Sequence, residues 1–360
     1  MKNKQPKIFS VNVQIVSHKD NIILVRGATE ILIEGKDATE ITVDILQKCK
    51  DGSTYEELLS FFPKNLQTEI KKLLDDLLIK GILFYENRDN KNFKVTNEES
   101  DFDIFGWQFG LSEKEIKKKV DNIDLHILGV NNISIHLINS LSNAGFENIK
   151  LIDYFPLNNQ KLIPSLSQTY TEQTIEFERW LDEFDKTKQN CLVPTCDFGG
   201  QPVIRYWNEF SVKDNLHYFP LILDKSIGYI GPFVIPNESS CYECMWVREN
   251  SNQEDPELFR YLESSLLNKS FITGFHPSMP RQIADIATTE LSKFYLNISS
   301  SMVNRISIYK FLIPDLKTQN ILKIPRCRVC SPLVKSPSVN TDLSLLLDPE
   351  RNLRNMLSHS

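Results

Sequence analysis

Two short cysteine pairs constrain this chain more than any other feature. Cys241 and Cys244 are separated by two residues in a Cys-x-x-Cys turn, Cys327 and Cys330 repeat the spacing, and 82 residues separate the pairs. Each turn presents two thiolates from one tight bend, and two such turns make the closed tetrahedral shell of a structural metal. A zinc ion on Cys241, Cys244, Cys327 and Cys330 is therefore expected, closing a folded domain rather than driving chemistry. Cys49, Cys191 and Cys196 lack the spacing and are expected in the core.

Composition narrows the classes. The 360 residues include 41 Lys and Arg against 47 Asp and Glu, a formal charge of −6 with no long basic block. Phosphate binding needs clustered cations, so nucleic acid is not the expected partner. The start, MKNKQPKIFSVNVQIV, has no apolar stretch before a small-residue cleavage site. No apolar run approaches the roughly 18 residues of a membrane helix. A soluble cytoplasmic protein of two domains is expected, and in that compartment paired cysteines point to metal rather than disulfides.

Residues 1–86 read as one module. Phe9 to Val16, Asn21 to Arg26 and Thr29 to Ile33 have strand composition, broken by SHKDN and by Gly27-Ala28. A helix around Ile41 to Leu46 ends near Asp51-Gly52. A second starts at Ser53 and stops at Pro63. A third carries Leu66, Ile70, Leu73, Leu74, Leu77 and Leu78 at helical spacing, Gly81 ends it, and Ile82 to Tyr85 is extended. The order predicts a winged-helix-like module. Glu69, Asp75 and Asp76 beside Lys71 and Lys72 make its third helix a poor fit to a DNA groove.

That order, with the KDGSTYEEL turn and the LLDDLLIKGIL ending, resembles a RiPP recognition element. This is the PqqD-like domain that binds leader peptides of ribosomally made natural products. The resemblance implies a leader added as a strand along Thr29, Glu30, Ile31, Leu32 and Ile33, walled by Lys71, Leu74 and Leu78 of the third helix. For the two leucines, plain core packing is the competing reading. Residues 87–122 are polar and read as a linker, with Phe105, Trp107 and Phe109 docking onto a neighbouring domain.

From 123 to 335 the pattern changes. Leu125 to Gly129, Ile133 to Ala144 and Ile149 to Asp153 form a βαβ unit of dinucleotide-binding layout. Its phosphate loop is degenerate: Gly129-Val130-Asn131-Asn132-Ile133-Ser134 keeps only the first glycine of GxGGxG. Asn tolerates positive φ, but its side chain stands where phosphates would sit. A Rossmann-like scaffold without nucleotide is expected. IGYIGPFVIPNESSCYECMW, followed later by IPRCRVC, resembles the ThiF-type and ubiquitin-activating superfamily, which carries a zinc knot of two such cysteine pairs. Its active members adenylate a carboxyl terminus with ATP. Carried over, Gly129, Asp153 and Asp197 fall on a vestigial nucleotide site. Phe155 replaces the second acid, and Leu157-Asn158-Asn159-Gln160 lacks the arginine. ATP is not expected to bind, and no catalytic residue is assigned. Residues 336–360 are expected to be a loosely held tail.

An α/β chain joining a winged-helix-like leader binder to a degenerate ThiF-like domain with a zinc knot resembles one group. These are the leader-binding partners of YcaO cyclodehydratases, which form azolines in thiazole/oxazole-modified microcin (TOMM) pathways of bacteriocin biosynthesis. Ser331 to Ser360 is too short for a YcaO domain, so that partner is expected on a separate polypeptide; a homodimer is left open. The alternatives are a peptide adenylating enzyme of the microcin-C type and a DNA-binding regulator.

Overall fold

The computed structural model describes residues 5–35, 37–86, 99–162, 174–185, 188–251 and 274–332, together with positions 255, 257, 258 and 261. Residues 87–98, which belong to the expected linker, and the expected tail 336–360 lie outside the described residues. The chain divides into two compact units between Ile116 and Lys117.

In the first unit the segment expected as one strand, Phe9 to Val16, is two. β1 (Lys7–Ser10) and β2 (Gln14–His18) belong to different sheets. The break has a cause. Ile8 and Val11 are buried, and the Val11 N–H donates to the Ile82 carbonyl at 3.0 Å, which holds β1 in the core. At Asn12 the chain leaves it, and the Asn12 carbonyl accepts from Arg26 Nη1 at 2.8 Å. β2, β3 (Asn21–Arg26) and β4 (Thr29–Glu34) then form an antiparallel sheet in that order. α1 (Ala38–Lys50) buries Ile45, Leu46 and Cys49 beneath it. β5 (Ser53–Thr54) pairs with β1, and α2 (Tyr55–Ser60) starts on a reciprocal cap between Thr54 and Glu57. α3 (Gln67–Ile79) buries Ile70, Leu74 and Leu77, and β6 (Leu83–Tyr85) returns to pair with β1.

Part of the expected linker belongs to this unit. α4 (Asp101–Trp107) begins on a Ser100–Asp103 cap. Its Trp107 donates Nε1–H to the Gly81 carbonyl at 3.2 Å, and Arg26 lies 4.8 Å from the centre of its ring. Arg26 is buried and forms a forked pair with Glu99 at 2.8 and 3.0 Å. A buried ion pair resists separation because removing either partner strands the other charge. α5 (Glu113–Asp121) spans the division.

The second unit is a mixed sheet in the order β15-β14-β13-β12-β10-β7-β8-β9, with β11 beside β10. Its parallel part comprises β7 (Ile123–Leu128), β8 (Ile149–Asp153), β9 (Thr174–Glu176), β10 (Gln189–Cys196) and β12 (Leu221–Asp224). α6 (Asn132–Asn143) joins β7 to β8, as the βαβ pattern requires. α7 (Phe177–Glu183) and α8 (Gln201–Lys213) follow β9 and β10, and β11 (His217–Tyr218) pairs with the start of β10. β13 (Ile227–Ile230), β14 (Arg305–Lys310) and β15 (Asp315–Asn320) extend the sheet antiparallel. α9 (Tyr242–Asn250) and α10 (Ser278–Tyr295) lie between β13 and β14 in sequence. The last two strands form a hairpin. β15 starts at Asp315, where Lys310 pairs with Asp315 across a short turn, although DLKTQN has little strand composition.

His126 on β7 is nearly fully buried in this unit. Its Nδ1 accepts from Trp180 Nε1 at 2.9 Å, and its Nε2 lies 2.7 Å from Asn190 Oδ1, so the proton resides on Nε2. Burial holds its pKa down at about 4.

Candidate functional site

The cysteine pairs converge. Cys241 caps the N-terminus of α9 and Cys244 lies in its first turn, so both sulfurs face a helix end that favours thiolate. The hairpin β14–β15 returns the chain to Cys327 and Cys330. The Sγ atoms of Cys241 and Cys244 are 3.9 Å apart, Cys241 and Cys327 3.7 Å, and Cys244 and Cys330 3.5 Å. All four lie within 4.8 Å of one another. A disulfide needs about 2.05 Å. Four sulfurs about 2.3 Å from a central ion sit roughly 3.8 Å apart, so this donor set fits a tetrahedral metal. Hydrogen bonding among the sulfurs raises the Cys241 thiol through Cys244, lowers Cys244 through Cys241, and brings Cys327 down to about 6 through Cys241. By contrast, burial pushes the isolated Cys49 and Cys191 up to about 12.

Neighbouring groups fix this cluster. The Ile324 N–H points at Cys244 Sγ at 3.4 Å. Asn304 Oδ1 accepts from the Ser240 N–H and hydroxyl at 2.6 and 2.8 Å, which ties the first turn to the start of β14. Buried Glu243, between the first two cysteines, accepts from Arg205 of α8 at 2.8 and 3.0 Å and pairs with Arg328, between the second two, at 3.0 Å. Glu243 thus clamps the two cysteine turns together. Sequence reading missed it, although each charge sits inside a Cys-x-x-Cys spacer.

Gly129, Asp153 and Asp197, the residues of the expected vestigial site, lie at the switch point of the parallel sheet. The chain leaves β7 for β8 on one side and returns to β10 on the other, opening a crevice at the carboxyl ends of β7 and β10. Gly129 has φ +96, and a Cβ there would stand 2.5 Å from Leu157 Cβ, so this glycine serves a close chain crossing. Asn131 is not in a left-handed conformation; its φ is −152 and it is the N-cap of α6. Its Oδ1 accepts from the Ile133 and Ser134 N–H groups, and its Nδ2 donates to the Leu157 carbonyl and to Thr195. The Asn132 N–H is taken by Asp197 Oδ2 at 3.1 Å. The amides that would greet a phosphate are thus occupied, and a carboxylate stands at the helix end.

Asn158 and Asn159 bridge the two acids. Asn158 donates to Asp153 at 2.5 Å and accepts from the Val130 N–H, while Asn159 donates to both oxygens of Asp197 at 3.0 Å. Gly129, Asp153 and Asp197 are therefore brought together through asparagines that sequence reading passed over. The pattern N-x-x-S at 131–134 is a helix-start signal and was the available clue.

In the first unit, β4 pairs with β3 alone among the described residues. Two-residue turns close both hairpins, so His18–Asn21 and Arg26–Thr29 are the hydrogen-bonded closing pairs. Alternation then directs the main-chain groups of Thr29, Ile31 and Ile33 at β3. The Gly35 N–H, of the same parity, donates to the Asp20 carbonyl at 3.2 Å. The N–H and C=O groups of Glu30, Leu32 and Glu34 face the open edge. Ile31 and Ile33 are half-buried against the core, whereas Leu32 is 55% exposed. Lys71 is exposed and Leu78 half-buried, but Leu74 is fully buried. Leu74 is therefore core and not a groove wall, because it occupies the inward stripe of α3 with Ile70 and Leu77.

No family model matches the sequence, and no curated protein matches it. Solved structures do match the fold. The heterocyclase TruD aligns with a TM-score of 0.59 at 15% identity, covering 91% of this chain and 43% of its own. Escherichia coli MccB aligns at 0.63 and 18% identity, covering 90% of this chain and 97% of its own. MccB with AMPCPP and MccA gives 0.64 at 18% identity, covering 90% and 100%. The chain spans less than half the length of TruD and nearly the full length of MccB, and it shares their α/β fold.

Proposed function

We propose that this chain binds the leader of a ribosomally made precursor peptide along β4 and presents the peptide to a YcaO-type cyclodehydratase for azoline formation. The observation that carries the reading is the open edge of β4, where the main-chain groups of three residues have no strand partner among the described residues and lie beside half-buried isoleucines. The first unit then serves as the winged-helix-like recognition element. The second serves as a ThiF-like scaffold held by a structural zinc on the four cysteines. The fold likeness to a heterocyclase and to a microcin C7 biosynthetic enzyme supports a role in peptide-product biosynthesis.

Candidate leaders are to be sought among any short open reading frames beside the gene. Fluorescence anisotropy with labelled leaders is expected to give a dissociation constant on the order of micromolar, since an ordered leader loses chain entropy. Leu32→Pro removes an outward N–H and should weaken binding about tenfold. Unchanged binding would overturn the reading. For the scaffold, calorimetry with ATP and magnesium should show no binding of micromolar strength, because Asn131 and Asp197 fill the helix end.

A second reading, peptide adenylation, is favoured by the alignment with MccB over nearly all of both chains. It requires peptide-dependent release of pyrophosphate that is lost in Asp197→Ala.

A further inference from the structure

We infer that the strand recognised by β4 carries two basic side chains four residues apart, with an aliphatic side chain midway between them. The inference rests on the strand-addition reading above and names the chemistry of the peptide.

Glu30, Leu32 and Glu34 direct their main-chain groups at the open edge, so they are the residues that hydrogen-bond to an added strand. Their side chains share the outer face of the sheet, as the alternating burial of β4 and the 55% exposure of Leu32 require. Side chains directly opposite on neighbouring strands sit about 4.5–5.5 Å apart and interact as pairs. The added strand therefore meets Glu, Leu and Glu in succession at every second position. Within the sheet these carboxylates face no cation: Glu30 lies opposite Val25, and Glu34 opposite Asn21. Beyond those partners, on β2, stand Gln14 and His18.

The middle row is different. Val16, Ile23 and Leu32 are cross-strand neighbours in one line. Val16 is 42% exposed and Leu32 more so, which leaves an apolar row ending at the open edge. An aliphatic residue on the added strand completes that row. Basic residues on either side pair with Glu30 and Glu34, whereas acidic ones are repelled by both. Positions between these three turn to the inner face beside Ile31 and Ile33 and are apolar. The Glu-x-Leu-x-Glu order is palindromic, so the pattern holds whether the peptide adds parallel or antiparallel to β4.

The test uses the full chain and a random-peptide display library at physiological ionic strength. Peptides whose binding is lost in Leu32→Pro are expected to share the basic-x-aliphatic-x-basic spacing. One such peptide, labelled with fluorescein, is then compared with its counterpart bearing Glu at both basic positions. The doubly charge-reversed variant Glu30→Lys/Glu34→Lys, altered only at exposed side chains, should bind the basic peptide about tenfold more weakly and the acidic one more tightly. Two outcomes separate the claims. If Leu32→Pro abolishes binding but charge reversal leaves both peptides unchanged, the charge pattern is wrong and strand addition stands. If selected peptides bind Leu32→Pro as well as the parent, strand addition and the charge pattern both fall.

Discussion

His126 shows how one residue can couple the second unit to pH. Trp180 donates into Nδ1 and the Nε2 proton goes to Asn190, so a second proton has no place to bind without breaking a hydrogen bond. The unfolded histidine titrates near 6.5 and the folded one at about 4. Between those values the unfolded chain holds a proton that the folded chain lacks. Stability is therefore fully present above pH 6.5 and falls as pH drops toward 4, by about 3 kcal/mol in all. His126→Gln keeps one donor and one acceptor without titrating. Its urea midpoint should change less between pH 7 and pH 5 than the parent's, and equal changes would refute the assignment. Asn131 makes a comparable point about capping. Truncating it to Ala frees the Ile133 and Ser134 amides and removes the donor to Thr195 in a buried setting, which should cost about 2 kcal/mol in chemical denaturation. A loss below a few tenths would mean the cap is dispensable. Sequence reading saw only a missing glycine at this position, because a cap is recognised by what it touches.

β4 is the element on which the proposed strand addition turns. Ile31 and Leu32 are adjacent, yet a proline at each has a different consequence. Leu32→Pro removes a donor from an open edge, where proline is tolerated, so the fold should persist. Ile31→Pro removes a donor aimed at β3 and should lower the melting temperature of the first unit by several degrees, with about 2–3 kcal/mol lost. Thermal melts of the two variants decide this, and equal melting temperatures would reverse the edge assignment. Strand composition revealed β3 and β4 but not the split between β1 and β2. That split depends on Val11 reaching Ile82 and Arg26 reaching Asn12, contacts between residues distant in sequence. The docking of Trp107 under Arg26 was only half legible: its aromatic character signalled a contact, and nothing in the sequence paired Arg26 with Glu99.

At the scale of the whole molecule, the cysteine centre was the most legible feature, since spacing alone announced it and the sulfurs converge. Its clamp was not, because Glu243 meets Arg205 and Arg328 only after three elements have packed. Elemental analysis should find about one zinc per chain, and Cys241→Ser should release it and destabilise the second unit by several kcal/mol, since structural metal binding is coupled to folding. A metal-free protein that remains folded and monodisperse would overturn this. The two cysteine turns also close a loop, and loop closure depends on length only logarithmically. Doubling the 82 residues between Cys244 and Cys327 would add only about 0.6 kcal/mol of closure entropy. Because α10, β14 and β15 lie within this segment, that insensitivity applies to the connections between them and not to the elements themselves. The connections between these elements are therefore where new surface can be added while the sheet stays unchanged.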